Sequence, residues 1–122
     1  MEHKNDQSKT TGVALCMSYI GSKWKPIILF KISKGINRFN ILFNEIDGIN
    51  RQMLSKQLKE LEKSGILERT VFPEIPPRVE YKLTPFGKSF LPLIQAIDRW
   101  GIKLKGGAVK AKEINSQQLP LF

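Results

Sequence analysis

Apolar residues recur at helical spacing through most of the chain and change to alternation in one place. Leu54, Leu58 and Leu61 fall at i, i+4 and i+7, which makes one narrow stripe. Asn50 precedes it and can cap a helix, because its side chain accepts from a free backbone N–H two or three residues on. Gly65 follows and suits the left-handed residue that stops a helix. The spacing therefore predicts a helix over residues 50–64. Off the stripe stand Arg51, Gln52, Ser55, Lys56 and Lys59, with no carboxylate until Glu60 and Glu62. Phe39, Leu42, Phe43 and Ile46 predict a shorter helix before it, and Asp47-Gly48 is a turn signal between the two. Helix, short turn and polar-faced helix is the helix-turn-helix arrangement, so residues 50–64 read as a DNA recognition helix. A helix of this pattern taken alone more often shows only a solvated charged face. The surrounding chain reverses that preference.

Residues 1–10 are polar and expected to be flexible. Val13, Cys16, Met17 and Ile20 predict a helix over 12–20, with Leu15 and Tyr19 on a second apolar flank. A helix apolar on two sides must bury both, one on its own domain and the other against a partner subunit. Ser22 is placed to cap a helix over 23–33, with Pro26 in its first turn. Trp24, Ile27, Ile28, Leu29, Phe30 and Ile32 make that helix nearly apolar all round, which predicts a central buried element ended by Gly35. Residues 37–39 are expected to form a brief edge strand.

Beyond Gly65, Val79, Tyr81 and Leu83 alternate with Arg78, Glu80 and Lys82, the pattern of a half-buried strand. Residues 66–72 are rich in strand formers. Pro73-Glu-Ile-Pro-Pro77 joins the two and holds three of the seven prolines, so the loop is stiff and stands off the sheet. A hairpin of this kind directly after a recognition helix is a wing. Thr84-Pro85 then opens a helix carrying Phe86, Phe90, Leu93, Ile94, Ile97 and Leu104, which Pro92 should kink. Residues 106–122 read as a basic, flexible tail. The expected architecture is α+β, mainly α: a winged helix-turn-helix over residues 11–105. It has a two- to three-stranded antiparallel wing sheet and N- and C-terminal dimerisation helices.

Charge sharpens this reading. The 20 Lys and Arg against 11 Asp and Glu leave a formal charge of +9, which suits a polyanionic partner, nucleic acid first. Lys23, Lys25, Lys31, Lys34 and Arg38 follow one another with no acid between. No run approaches the roughly 20 apolar residues of a membrane span. The polar start shows no signal peptide, and one cysteine forms no internal disulfide, so a cytoplasmic protein is expected. Enzyme chemistry has little support. The single His3 lies in the polar N-terminus, and no metal cluster, nucleophile–base pair or phosphate loop is evident, so no cofactor is implied. A basic membrane-surface tail is disfavoured because Lys103, Lys105, Lys110 and Lys112 lack aromatic anchors. The remaining alternative is a winged-helix protein-interaction module with only non-specific DNA affinity.

Several stretches resemble the HxlR-type winged helix-turn-helix transcriptional regulators of bacteria and archaea. They are Ile20-Gly-Ser-Lys-Trp24, Arg38-Phe-Asn40, Gly48 to Leu61, Gly65-Ile-Leu-Glu-Arg69, Phe86-Gly87 and Trp100-Gly101. The most specific is the wing, Val71-Phe-Pro-Glu-Ile-Pro-Pro-Arg-Val-Glu-Tyr-Lys-Leu-Thr84. The resemblance spans roughly residues 11–102 and implies a homodimer on an inverted-repeat DNA operator. Many members carry a cysteine just before the first helix, in some a sensor of thiol-reactive compounds. That position falls near Thr11 here, and Cys16 lies within the helix. A cysteine on an apolar stripe more often packs as a small hydrophobe, the alternative being a redox thiol at the dimer seam.

The residues expected to meet DNA follow from chemistry. Arg51 can read guanine with two hydrogen bonds, Gln52 can read adenine, and Ser55 allows close approach. Lys56 and Lys59 suit flanking phosphates, and Arg78 suits the backbone or the minor groove. Lys23 and Lys25 sit near a helix N-terminus, whose free N–H groups also attract anions. Arg38 has a weaker claim, since it can pair with Glu45 or another acid. An unidentified small-molecule effector would sit in a cavity between the terminal helices of the dimer, lined by Tyr19, Trp24 or Trp100, although such aromatics are more often core.

Overall fold

A computed structural model of the protein describes residues 9–109. The predicted flexible start and most of the basic tail lie outside these residues. The order of elements is α1 (Gly12–Ile20), α2 (Lys25–Ser33), α3 (Phe39–Glu45), α4 (Arg51–Lys63), β1 (Leu67–Phe72), β2 (Arg78–Leu83), α5 (Pro85–Lys88) and α6 (Leu91–Lys105). They fall into two compact units, one running up to Leu91 and the other starting at Pro92.

Local chemistry accounts for each boundary. Thr11 caps α1, its side-chain oxygen accepting from the Ala14 N–H at 3.0 Å. The Ser22 hydroxyl accepts from the N–H groups of Trp24 and Lys25 at 3.2 and 3.0 Å, but the cap position of α2 is Trp24, which makes no side-chain capping bond. Regular helix begins at Lys25, later than expected. Only one face of α2 is buried, through Ile28, Leu29 and Ile32. Ile27 shares the other side with Phe30, Lys31 and Lys34, whose ammonium groups need water, and that side stays open. The expectation of a helix buried all round was therefore too strong.

Asn50 caps α4 as predicted, accepting from the Met53 N–H at 2.7 Å. Leu54, Leu58 and Leu61 face inward and are fully buried. At the far end Gly65 takes φ 82°, a conformation in which a Cβ would clash with the backbone. The Ile66 N–H then reaches the Leu61 carbonyl at 2.9 Å, and the Gly65 N–H reaches that of Glu62 at 3.1 Å. Two carbonyls that the helix would leave unpaired are satisfied, and the chain turns straight into β1.

β1 and β2 pair antiparallel, from Leu67 opposite Leu83 to Phe72 opposite Arg78. Leu67, Tyr81 and Leu83 turn into the core. The sheet has two strands among the described residues. The predicted edge strand at 37–39 is reduced to one backbone bond, the Tyr81 N–H donating to the Asn37 carbonyl at 2.9 Å. Arg38 is extended there, but Phe39 already begins α3, so no ladder can grow.

The helix opened by Thr84 breaks instead of kinking: α5 ends at Lys88 and α6 restarts at Leu91. Pro92 has no N–H to give the Lys88 carbonyl, and its ring would crowd that group. Restarting places Pro92 in a first turn, where no donor is needed. Thr84 ties this corner to the end of α4. Its N–H donates to the Ile66 carbonyl at 3.1 Å, its hydroxyl donates to the Gly65 carbonyl, and the Gly87 N–H donates to the hydroxyl oxygen at 3.0 Å.

A Cβ on Gly87 would stand 2.2 Å from the Ile66 carbonyl oxygen. Gly87→Ala must push the two segments apart, and overpacking of this kind typically costs about 1–3 kcal/mol. A lowered urea midpoint with the slope unchanged is expected. An unshifted midpoint would mean that α5 moves freely against β1.

Candidate nucleic-acid interface

α3, the Asp47-Gly48 turn and α4 form the helix-turn-helix, with Gly48 at φ 84°. Because the leucines of α4 point inward, Arg51, Gln52, Lys56 and Lys59 are left exposed and Ser55 half-buried. With Phe39, Glu60 and Lys63 they line one open depression along the outside of the helix. Sequence spacing thus brought these five predicted residues onto one surface.

Arg51 is held in a way that its position in the sequence does not reveal. Its Nη1 donates to Asn40 Oδ1 at 3.0 Å, and its guanidinium carbon lies 4.3 Å from the centroid of the Phe43 ring. Both partners come from α3, eleven and eight residues earlier. Neither Asn40 nor Phe43 was among the predicted site residues. The only sign in the sequence was that both lie in the first helix of the motif.

The predicted cations divide into two groups. Lys56, Lys59 and Lys23 keep exposed ammonium groups, Lys23 resting 4.6 Å over the Trp24 ring. Lys25 has another task. Its Nζ lies 2.8 Å from Glu60 Oε1, with only 13% of the side chain exposed, and so links α2 to α4. Lys56 approaches the other Glu60 oxygen at 3.4 Å. Hydrogen bonds from Lys25 and Lys56 hold the Glu60 carboxyl below the usual carboxylate range.

A depressed folded value means that the stability from this cluster is present above the usual range and lost as pH falls through the lowered one. The Glu60→Gln variant should therefore differ from wild type in urea midpoint near neutral pH. The difference should shrink as pH falls beneath the usual carboxylate range and close once the lowered Glu60 value is passed. A difference that persists in acid would assign the effect to packing.

The wing residues also pair within the chain. Arg78 donates through Nε and Nη2 to Glu74 Oε2 at 3.1 and 2.9 Å, and through Nη1 to Glu80. Its guanidinium carbon sits 3.8 Å from the centroid of the Phe72 ring. Arg38 lies 3.6 Å from Glu80, while Glu45, its other predicted partner, pairs with Lys31 at 3.5 Å. Two arginines and two carboxylates thus balance at the wing base. Arg78 thus helps to fix the loop, because Glu74 belongs to that loop.

Other predicted residues have plain surroundings. Cys16 is half-buried on α1. Tyr19 packs in an aromatic cluster, its ring centroid 5.3 and 6.1 Å from those of Phe86 and Phe90. Trp24 lies beside the motif turn, 3.8 Å from where a Cβ on Gly48 would be. Among the described residues no three His, Cys, Asp or Glu side chains gather as a metal site, and no helix is long and apolar enough to cross a membrane.

The HxlR-like helix-turn-helix model matches residues 19–107, which include the motif, the wing and α6. The chain belongs to that family. It is accordingly a DNA-binding transcriptional regulator of the winged helix-turn-helix type. It is 42% identical over 96 residues to an uncharacterised HTH-type transcriptional regulator of Methanothermobacter thermautotrophicus, covering 79% of this chain and 73% of that one. It is 37% identical over 105 residues to the HTH-type regulator YdeP of Bacillus subtilis, covering 86% and 82%. Among solved structures, the redox regulator HypR in its oxidised form superposes with a TM-score of 0.73 at 38% identity, covering 76% of this chain and 96% of that one. Within this HxlR-like chain, the recognition helix and the wing therefore stand where the alternation and the leucine stripe predict them.

Proposed function

We propose that this regulator works as a homodimer, reading an inverted-repeat operator through the outer face of α4, in the cytoplasm and without a cofactor or catalytic step. The observation that carries the reading is that face itself: Arg51, Gln52, Ser55, Lys56 and Lys59 on one surface, its one carboxylate, Glu60, already engaged by Lys25 and Lys56. A helix with such side chains fits the major groove, where each base pair shows a distinct pattern of donors and acceptors. Arg51 takes guanine and Gln52 takes adenine, while Lys56, Lys59 and Lys23 meet phosphates. Arg38 and Arg78 set the wing, and Lys25 braces α4 from behind.

Support for self-association comes from α1. Val13, Leu15 and Met17 are 72, 53 and 44% exposed on a helix of nine residues. α6 likewise leaves Leu93, Ile97, Ile102 and Leu104 open to solvent. Apolar surface left open on consecutive turns marks an association surface. Two copies related by a two-fold axis would present their recognition helices about 34 Å apart, one turn of DNA, or a small multiple of it.

The test is to mix the purified protein with sheared DNA from its own source, recover the bound fragments and sequence them. A few sites containing an inverted repeat are expected. Uniform recovery that vanishes at modest salt would instead favour a protein-interaction module with charge-driven DNA affinity.

A further inference from the structure

We infer that Asn40 and Phe43 are positioning residues for Arg51, and that together they fix which edge of its guanidinium meets paired acceptors on a guanine. The inference rests on the DNA-reading role proposed above. Arg51 is the first residue of α4 and is exposed, yet its guanidinium is held from two directions. Asn40 Oδ1 accepts from Nη1 at 3.0 Å, and the Phe43 ring covers one face at 4.3 Å, with Phe39 further off at 6.0 Å.

The kind of partner matters. Arg38 and Arg78 are paired with carboxylates, whereas among the described residues none pairs with Arg51. An amide oxygen orients the group and leaves its full charge available. A guanidinium is planar and carries five N–H donors. With one donor spent on Asn40 and one face against an aromatic ring, what remains open is an edge. An edge offers two parallel N–H groups, which match guanine O6 and N7, or equally two oxygens of a phosphate. A long side chain ordered before binding also has less freedom to lose on the DNA.

Two measurements test this. The first follows 15N relaxation of the Arg51 Nε–H in the DNA-free protein. Asn40→Ala and Phe43→Leu should each lower its order parameter, whereas Asn40→Asp, which keeps the acceptor, should not. The second uses the operator recovered by the selection described above. Asn40→Ala should weaken operator binding about ten- to a hundredfold, the freedom of one unheld side chain in each of two protomers, and leave random DNA binding unchanged. The loss should concern the same base pair as in Arg51→Ala and disappear in the Arg51→Ala background.

An unchanged order parameter in Asn40→Ala overturns the positioning role. A loss that persists without Arg51 means that Asn40 touches DNA itself, and also overturns it. A loss spread evenly over all sequences puts the held edge on phosphate and overturns the guanine assignment. A wild-type protein with no sequence preference defeats the DNA-reading role and the guanine assignment together. The relaxation measurement then still decides whether Asn40 holds Arg51.

Discussion

Leu15→Asp is expected to turn the proposed homodimer into separate chains that still fold. Leu15 lies in the middle of α1 and more than half of it is exposed, so an aspartate there costs the protomer little. Across a two-fold seam the same change buries two carboxylates without partners, which an interface does not tolerate. Sedimentation at micromolar concentration should show the protomer mass. Operator affinity should fall on the order of 10²- to 10⁴-fold, because the second half-site is no longer reached by a tethered helix. Thermal unfolding of the separated chains reports directly on what is lost with the seam. If the variant sediments as a dimer, α1 is not the seam.

The second large effect is expected from Arg51→Ala. A base contact of this type is worth about 1–3 kcal/mol of discrimination, and a dimer loses it twice, so operator binding should weaken by about 2–6 kcal/mol. Binding to random DNA should change far less. Lys59→Ala is the control, weakening all sequences alike and lowering the salt dependence by about one unit per contact removed. If Arg51→Ala weakens operator and random DNA equally, Arg51 sits on phosphate.

Much of this was legible in the sequence because it depends on near neighbours. The Asn50 cap, the Gly65 stop and the leucine stripe of α4 all act within one helix, and the structure keeps each of them. The alternation of Val79, Tyr81 and Leu83 reports burial on one side of a strand, again a local signal. Side-chain partners drawn from elsewhere were not legible. Arg78 reads as a free cation until the fold brings Glu74 and Glu80 around it. Lys25 reads as an unpaired cation until α2 packs beside Glu60. Arg51 was identified correctly as exposed, but its holders, Asn40 and Phe43, depend on the angle at which α3 meets α4. Composition carries no record of that angle. The break before Pro92 lies between these cases. Proline disturbs a helix in a known way, but kink or restart depends on whether Ser89 and Phe90 find other hydrogen bonds, and both do.

One helix divides its labour cleanly between two sides. Leu54, Gln57, Leu58 and Leu61 hold the fold from within, and Gln57, only 4% exposed, bonds back to Ser22. Gln52, Ser55, Lys56 and Lys59 hold nothing in the core. Duplicated genes can therefore drift to new target sequences at these four positions at little cost in stability, Lys56 giving up only its 3.4 Å surface contact with Glu60. A laboratory library randomised at the same four codons should consist mostly of folded proteins, so that a screen for altered targets samples specificity and not survival.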